Sequence, residues 1–398
     1  MKTLPSENTF YFYRGRVALY ALLRAMNLQP GDEVLIPGFT CVAVPSPILG
    51  MRARPVYVDI DPRTYNIDPL ALERRVTRRS KVIVAQHTFG IPCDMEPIME
   101  TAQRHGLAVI EDTCHVWGSK YRGQDLGSIG VAAFYSYDPG KPFIIGMGGA
   151  ATVNSEGLRA RMRDLAKCFR KPKAVETAKL HLQYVAHRLT KHPRFFWDAR
   201  NVYRLLSKSG VAIATWTSDA LEGRLGPDYE KALSPSLRAR LTAVMQASDE
   251  VISRHKRLAE QYERGLQAMG VPGLSIQSDS EAVLICYPLQ LPNKVRVLEE
   301  ARRHRVELGD WFSSPVHPLS EQEWSAVGYQ KGSCPVAEEV SRHVVTLPCH
   351  AAVTAKEAER TLGFLKRMKD RGLLCMAALA TESGERLAAG GVGVSLHG

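Results

Sequence analysis

FYSYDPGKPFIIGMGGAATV, residues 134–153, sets one lysine, Lys141, in a tight turn between two apolar runs. Pro139, Gly140 and Pro142 bracket it, so the backbone fixes where its amine points. A lysine held this way suits covalent chemistry with a carbonyl, although a Gly-Lys turn by itself also describes an ordinary surface charge. Upstream, the apolar run AVIED ends in Glu111 and Asp112, and the two segments together suggest a site.

Outward from that stretch, short Val/Ile-rich strands alternate with helical patterns. GRVALYALLRAM (15–26) predicts a helix, GDEVLIPG a turn and a strand, RPVYVDID a strand and LALERRV a helix. KVIVAQHTFG predicts a strand, MEPIMETAQRHG a helix closed by Gly106, and LAVIED a strand. Such alternation implies a largely parallel sheet covered on both faces, and ligands of such sheets collect at the carboxyl ends of the strands. Thr40, His87, Asp112 and the Lys141 turn all fall there. Farther on, Val175, Ala178, Leu182, Val185 and Leu189 step by three and four, describing a helix with one apolar stripe and basic flanks. A long helix is predicted from the Ser234-Pro235 pair towards Gly265. Beyond it come EAVLICYPLQL as a strand, VRVLEEARRHRV as a helix and SRHVVTLPCH as a strand-like run.

At 398 residues and 45% apolar content the chain can bury a large core in two domains. The expected division is a large domain over 1–233, with a basic helical insertion at about 155–225, then a smaller α/β domain over 234–370 and a tail over 371–398. No run of about eighteen apolar residues occurs, and MKTLPSENTF lacks the basic and apolar regions of a secretory leader, so the chain reads as cytoplasmic. Eight cysteines without a CxxC pair fit reduced thiols rather than a disulfide framework or a zinc site.

The net charge of +11 comes from one segment. Residues 159–208 hold fourteen Lys/Arg against three acids, while the remainder carries 38 of each sign. A helical pair covered by solvent or by a second copy explains that segment, as does a contact with an acidic ligand or a membrane surface anchored by Phe195, Phe196 and Trp197. Nucleic acid is not expected, because neither a helix-turn-helix nor a stacking platform supports it.

Several chemistries lack their minimal parts. Tyr135 stands where a P-loop needs its first glycine, no GxGxxG follows a strand, and no HExxH is present. A lysine, a strand-end acid and a glycine-led helix start remain, and these are the parts that pyridoxal 5'-phosphate (PLP) requires. A lysine amine forms the imine with the coenzyme aldehyde and then shuttles a proton. A carboxylate, here Asp112, keeps the pyridine nitrogen protonated, unless it merely caps the next helix. Backbone N–H groups at a helix start, with hydroxyls or a cation, hold phosphate; Gly15, Arg16 and Ser136 would serve.

The stretches RGRVALYALL, QPGDEVLIPGFT, ARPVYVDIDPRTYNIDP, HTFGIPCDMEPIMETAQRHGLAVIEDTCHVWGSKYRGQDLGSIGVAAFYS, and PGKP before GMGGAATV give residues 10 to about 370 a close resemblance to the DegT/DnrJ/EryC1/StrS family of PLP-dependent sugar aminotransferases. The resemblance implies a three-layer α/β architecture, PLP-transferase fold type I, with a mainly parallel seven-stranded sheet and a smaller C-terminal α/β domain. It implies a homodimer with shared active sites, and amino transfer from an amino acid such as glutamate to a keto sugar carried on a nucleotide. By the same resemblance Lys141 falls on the Schiff-base position, Asp112 on the pyridine-nitrogen partner, Ser136 on a phosphate contact and His115 near the phenolic oxygen; His317 falls where some relatives contact substrate.

Three departures bear on the site. Arg14-Gly15-Arg16 replaces a Ser-Gly-Thr phosphate turn, so a cation takes over a hydroxyl contact. Cys41 stands where relatives place an aromatic on the pyridine face, so that stack is lost, or Phe39 or another ring supplies it. An Asn-Tyr-Arg-like segment is not evident before the Ser234 helix. Transamination, dehydration on the same scaffold, and a non-catalytic regulatory protein remain as alternatives, with Lys141, Asp112 and Ser136 favouring the first.

Overall fold

The computed structural model describes residues 7–190 and 224–374, together with residues 193, 196–198 and 201–202. Seven strands form one sheet: β1 (Thr9–Phe12), β2 (Glu33–Pro37), β4 (Arg54–Val58), β5 (Ser80–Gln86), β6 (Ala108–Asp112), β9 (Ala132–Ser136) and β10 (Gly149–Val153). Their order is β1-β10-β9-β6-β5-β2-β4, with every pairing parallel except the two made by β10. Two-residue strands β3 (Thr40–Cys41), β7 (Lys120–Tyr121) and β8 (Gln124–Asp125) lie outside that sheet.

Alternation along the strands builds the layers. Val34, Ile36, Val82, Val84, Ile110 and Phe134 face a core shared with α1 (Gly15–Ala25), α2 (Pro45–Gly50) and α5 (Glu156–Ala166). Leu35, Ile83, Ala85 and Val109 face the opposite side, where α3 (Pro69–Arg75) and α4 (Met95–His105) pack. The central strands are therefore apolar on both faces, as a helix-covered parallel sheet requires. Gly106 closes α4 in the left-handed region at φ 64°, with the Leu107 N–H returning to the Ala102 carbonyl.

The C-terminal part supplies α7 (Pro235–Gln246), α8 (Ser248–Gln267), β11 (Ser280–Glu281), β12 (Cys286–Gln290), α9 (Lys294–Arg303), β13 (Val316–His317), α10 (Pro335–His343), β14 (Val344–Pro348) and α11 (Ala355–Asp370). Strands β12 and β14 pair antiparallel, and β13 runs parallel to β3, with His317 opposite Cys41.

Two expectations change. The long helix after Ser234 is two helices meeting at Ala247, because α7 buries Leu237, Leu241 and Met245 in one cluster while α8 buries Leu258, Tyr262 and Leu266 in another. The run 341–350 is helical to His343 before it becomes β14. Helix α6 (Ala174–Thr190) forms as expected, but its stripe is not packed: Val175, Leu182, Val185 and Leu189 are 67, 71, 48 and 79% exposed. The helix seats itself by its other side, where Leu180 is buried and its carbonyl lies where a Cβ on Gly146 would sit.

Glu111 secures the end of β6. Its buried carboxylate accepts the N–H groups of Gly127, Ile129 and Gly130, each at 2.7 Å, and contacts His87 Nε2 at 3.2 Å. Since His87 Nδ1 accepts the Cys93 N–H, the ring proton sits on Nε2 and points at Glu111. Glu111→Ala strands three buried donors and the part-buried Ile129 N–H, so chemical denaturation should show a loss of about 3 kcal/mol or more.

Candidate active site

Gly15 starts α1 against the ends of β9 and β10, a contact that depends on two missing side chains. A Cβ on Gly15 would lie 2.9 Å from Ser136 Cβ, and one on Gly149 would lie 2.3 Å from the Arg14 carbonyl carbon and oxygen. No side chain caps α1, so its first N–H groups face the Ser136 strand end. Arg16, one residue in, is buried and makes no hydrogen bond among the described residues. Burial, then Arg14, hold its guanidinium below the usual arginine range, while Tyr229, Asp138 and Cys41 act in the opposite sense. The Ser136 hydroxyl is half-buried and likewise without a partner among the described residues. A buried cation, an open helix start and an unused hydroxyl form an anion cradle.

Asp112 ends β6 fully inside the protein. Burial raises its carboxyl above the ordinary range; the Cys114 N–H, which it accepts at 3.0 Å, and the charge of Lys141 pull the other way. Lys141 follows the Asp138-Pro139-Gly140 turn, where Gly140 takes φ 87° and the Lys141 N–H returns to the Asp138 carbonyl. Its Nζ lies 4.6 Å from the centre of the Trp311 ring, a cation–π contact. His115 Nδ1 accepts the Phe89 N–H at 3.2 Å, and burial together with Lys141 keeps the ring neutral well below the usual histidine range, leaving the proton on Nε2.

Cys41 is half-buried and faces Arg16 electrostatically, and its strand lies beside His317. His317 Nδ1 accepts from the Ser313 N–H and faces Ser313 Oγ at 3.0 Å. Gly15, Arg16, Cys41, Asp112, His115, Ser136 and Lys141 therefore converge at the strand ends, with His317 on the rim.

Phe39 is not available as a covering ring. It is fully buried and packs on Tyr65, Phe89 and Phe312. The ring beside Lys141 is Trp311, half-buried and 4.5 Å from the His115 ring; sequence reading passed over it, although a tryptophan within GDWFSSPVHP beside His317 was a usable signal. Tyr229 was also missed. Its buried hydroxyl has no hydrogen-bond partner among the described residues and lies in the field of Arg16 and Arg14. Neighbouring Asp228 pairs with Arg14 at 2.7 Å and with Lys231, which reaches Glu176 of α6 at 2.8 Å. Phe195 lies outside the described residues, and Trp197 is buried with its indole N–H on the Val306 carbonyl, so it is no membrane anchor.

A helix-covered sheet that brings together a turn-held lysine, a buried strand-end acid and an open helix start beside a buried cation has the parts of a fold type I PLP enzyme. A profile of the DegT/DnrJ/EryC1/StrS aminotransferase family matches residues 11–189 and 204–366, and the chain belongs to that PLP-dependent family. Among its relatives, a pleiotropic regulatory protein of Geobacillus stearothermophilus is 42% identical over 335 residues, covering 84% of this chain and 77% of that one. A UDP-2-acetamido-2-deoxy-3-oxo-D-glucuronate aminotransferase of Pseudomonas aeruginosa is 29% identical over 337 residues, covering 84% and 79%. The fold is shared with DesV of S. venezuelae, TM-score 0.67 at 23% identity, over 90% of this chain and 84% of that one.

Lys294 supports the Trp311 loop from below. Its buried amine donates to the Ser341 carbonyl at 2.8 Å and to the Phe312 carbonyl at 3.4 Å, and burial lowers its pKa to about 8. Between pH 8 and the unperturbed 10.5 the folded chain binds fewer protons than the unfolded one, so this group's contribution to stability rises with pH there. Against Lys294→Met, wild type should gain at most about 1.4 kcal/mol per pH unit across that window, read from urea midpoints.

Proposed function

We propose that the protein transfers an amino group from an amino acid, glutamate in the first instance, to a keto sugar carried on a nucleotide. The observation that carries this reading is the convergence of Lys141, Asp112 and the Arg16–Ser136 cradle at one group of strand ends. The substrate class rests on the Pseudomonas aeruginosa relative, whose name states a UDP-linked 3-oxo sugar acid.

PLP fits these residues. Its phosphate would meet the α1 start, Arg16 and Ser136, with Tyr229 in reach of the same field; its ring nitrogen would face Asp112 and its phenolic oxygen His115. When bound, PLP supplies an electron sink for charge developing at the substrate carbon. Asp112 holds the ring proton, and burial strengthens that pairing by keeping water away. Lys141 would hold the coenzyme through Nζ, and the same amine, once released from it, would carry the substrate proton. Trp311 shields the amine, while His317 and Cys41 face the side from which the sugar would enter. The same reading makes the protein a homodimer with shared sites, working in the cytoplasm and divided near residue 233, with the basic segment meeting an acidic partner. Among the described residues no helix is long and apolar enough to cross a membrane.

A regulatory role has one observation behind it, the name of the Geobacillus stearothermophilus relative. Half-reactions separate the two readings. With PLP loaded, glutamate should bleach the coenzyme's visible band and one keto-sugar nucleotide should restore it. Lys141→Ala should slow bleaching by about 10²–10⁴-fold, and Asp112→Asn by on the order of 10²-fold. Unaltered rates in Lys141→Ala would remove the proposal, and a band that no amine bleaches would favour the regulatory role. Arg16→Thr should weaken coenzyme uptake by about 10-fold in an absorbance titration, since a buried charge-assisted contact is worth about 1.5–3 kcal/mol.

A further inference from the structure

Eight large apolar side chains are exposed among the described residues, and four of them stand on the outer face of α6: Val175, Leu182, Val185 and Leu189. A fifth, Val202, twelve residues further along the chain, is 56% exposed. The four repeat at spacings of seven, three and four, so they form one stripe about 21 Å long, joined by exposed Ala178. Lys179 and Arg188 are exposed on either flank, and Lys171 and Lys173 precede the helix. The opposite side already has partners: Leu180 is buried, His181 faces Ser236, and Glu176 holds Lys231. This helix is thus fixed to the body by its inner side and presents an aliphatic outer side with a positive rim.

We propose that α6 docks on an anionic lipid bilayer, with its four aliphatic side chains entering the acyl boundary and its basic flank meeting the headgroups. Charge decides among the possible occupants. A second copy would set residues 159–208, fourteen basic against three acidic, against their own duplicate, and like charges across an interface repel. Nucleic acid would satisfy the cations but leave the aliphatic stripe wet, since the stripe has no aromatic on which bases could stack. An anionic membrane serves both features, aliphatic burial and positive flank. The inference does not depend on the coenzyme chemistry, so it can fail while the proposed reaction stands, and the reverse.

Co-sedimentation of the full-length, PLP-loaded protein with vesicles tests it. Vesicles of equal parts phosphatidylglycerol and phosphatidylcholine should bind at least about 10-fold more protein than phosphatidylcholine alone, and the excess should shrink as salt rises. Leu182→Ser with Leu189→Ser should cut binding by about 10-fold or more, because each replacement removes several methylene groups from the acyl boundary. The circular dichroism and the coenzyme absorbance of that variant should match wild type, since both side chains lie in solvent. Lys179→Gln with Arg188→Gln should lower the salt-sensitive part. Equal binding to both vesicle types, or full binding by the leucine variant, overturns the proposal. So does a change in sedimentation mass in the leucine variant, which would assign the stripe to a second copy. A DNA gel shift without vesicle binding would overturn it in favour of nucleic acid.

Discussion

The site depends on one close approach, the start of α1 against the ends of β9 and β10. With Gly15 and Gly149 bare, backbone meets backbone, and the first N–H groups of the helix come to the edge of the sheet beside Ser136. Arg16 then enters a buried position where no described residue receives its hydrogen bonds. A buried cation without a partner is costly, and folding tolerates it where a bound anion returns the lost interactions. The same contact explains why Arg16 can stand where a hydroxyl would be enough. Its charge is felt together with those of Asp138 and Cys41, which favour the charged form against burial and Arg14.

Charge also ties the basic segment to the site. Arg14 pairs with Asp228, Asp228 with Lys231, and Lys231 with Glu176 at the beginning of α6. Burial alone would raise Asp228, but Arg14 and Lys231 outweigh it and hold the carboxyl below its usual range. Helix α6 is therefore rooted by ion pairs a few residues from the phosphate cradle, while α5 belongs to the body, since Leu158 and Met162 lie in the main core. Rooting by polar contacts leaves the outer face of α6 free of any packing duty.

Much of this was legible in the sequence, and the reason is locality. The strand–helix alternation gave the sheet, and the positions of Asp112 and Ser136 at strand ends, of Gly15 at the start of α1 and of Lys141 in the turn after β9 are all set by their own neighbours in sequence. Positions set by distant partners could not be read. Trp311 reaches Lys141 from 170 positions along the chain, and Tyr229 reaches Arg16 from 213, through packing that no local pattern encodes. The break at Ala247 was hidden for a similar reason: an uninterrupted helical pattern does not say that its two halves pack on different cores. The stripe of α6 was seen, but period alone cannot tell a face that packs from one that stays exposed.

Protonation within the pocket follows from burial combined with the Trp311 face. The indole face covers the Lys141 amine; burial, reinforced by the Lys141 charge, keeps His115 neutral, and burial raises Asp112 while the Lys141 charge pulls it the other way. A bound ring cation would oppose the burial that raises Asp112, making the carboxylate form the favoured one at the moment it is needed. The loop bearing Trp311 is held by Lys294, whose buried amine donates to the Phe312 and Ser341 carbonyls and whose pKa burial lowers to about 8. Two lysines are thus fixed by different covers: an aromatic face over Lys141, carbonyl oxygens around Lys294.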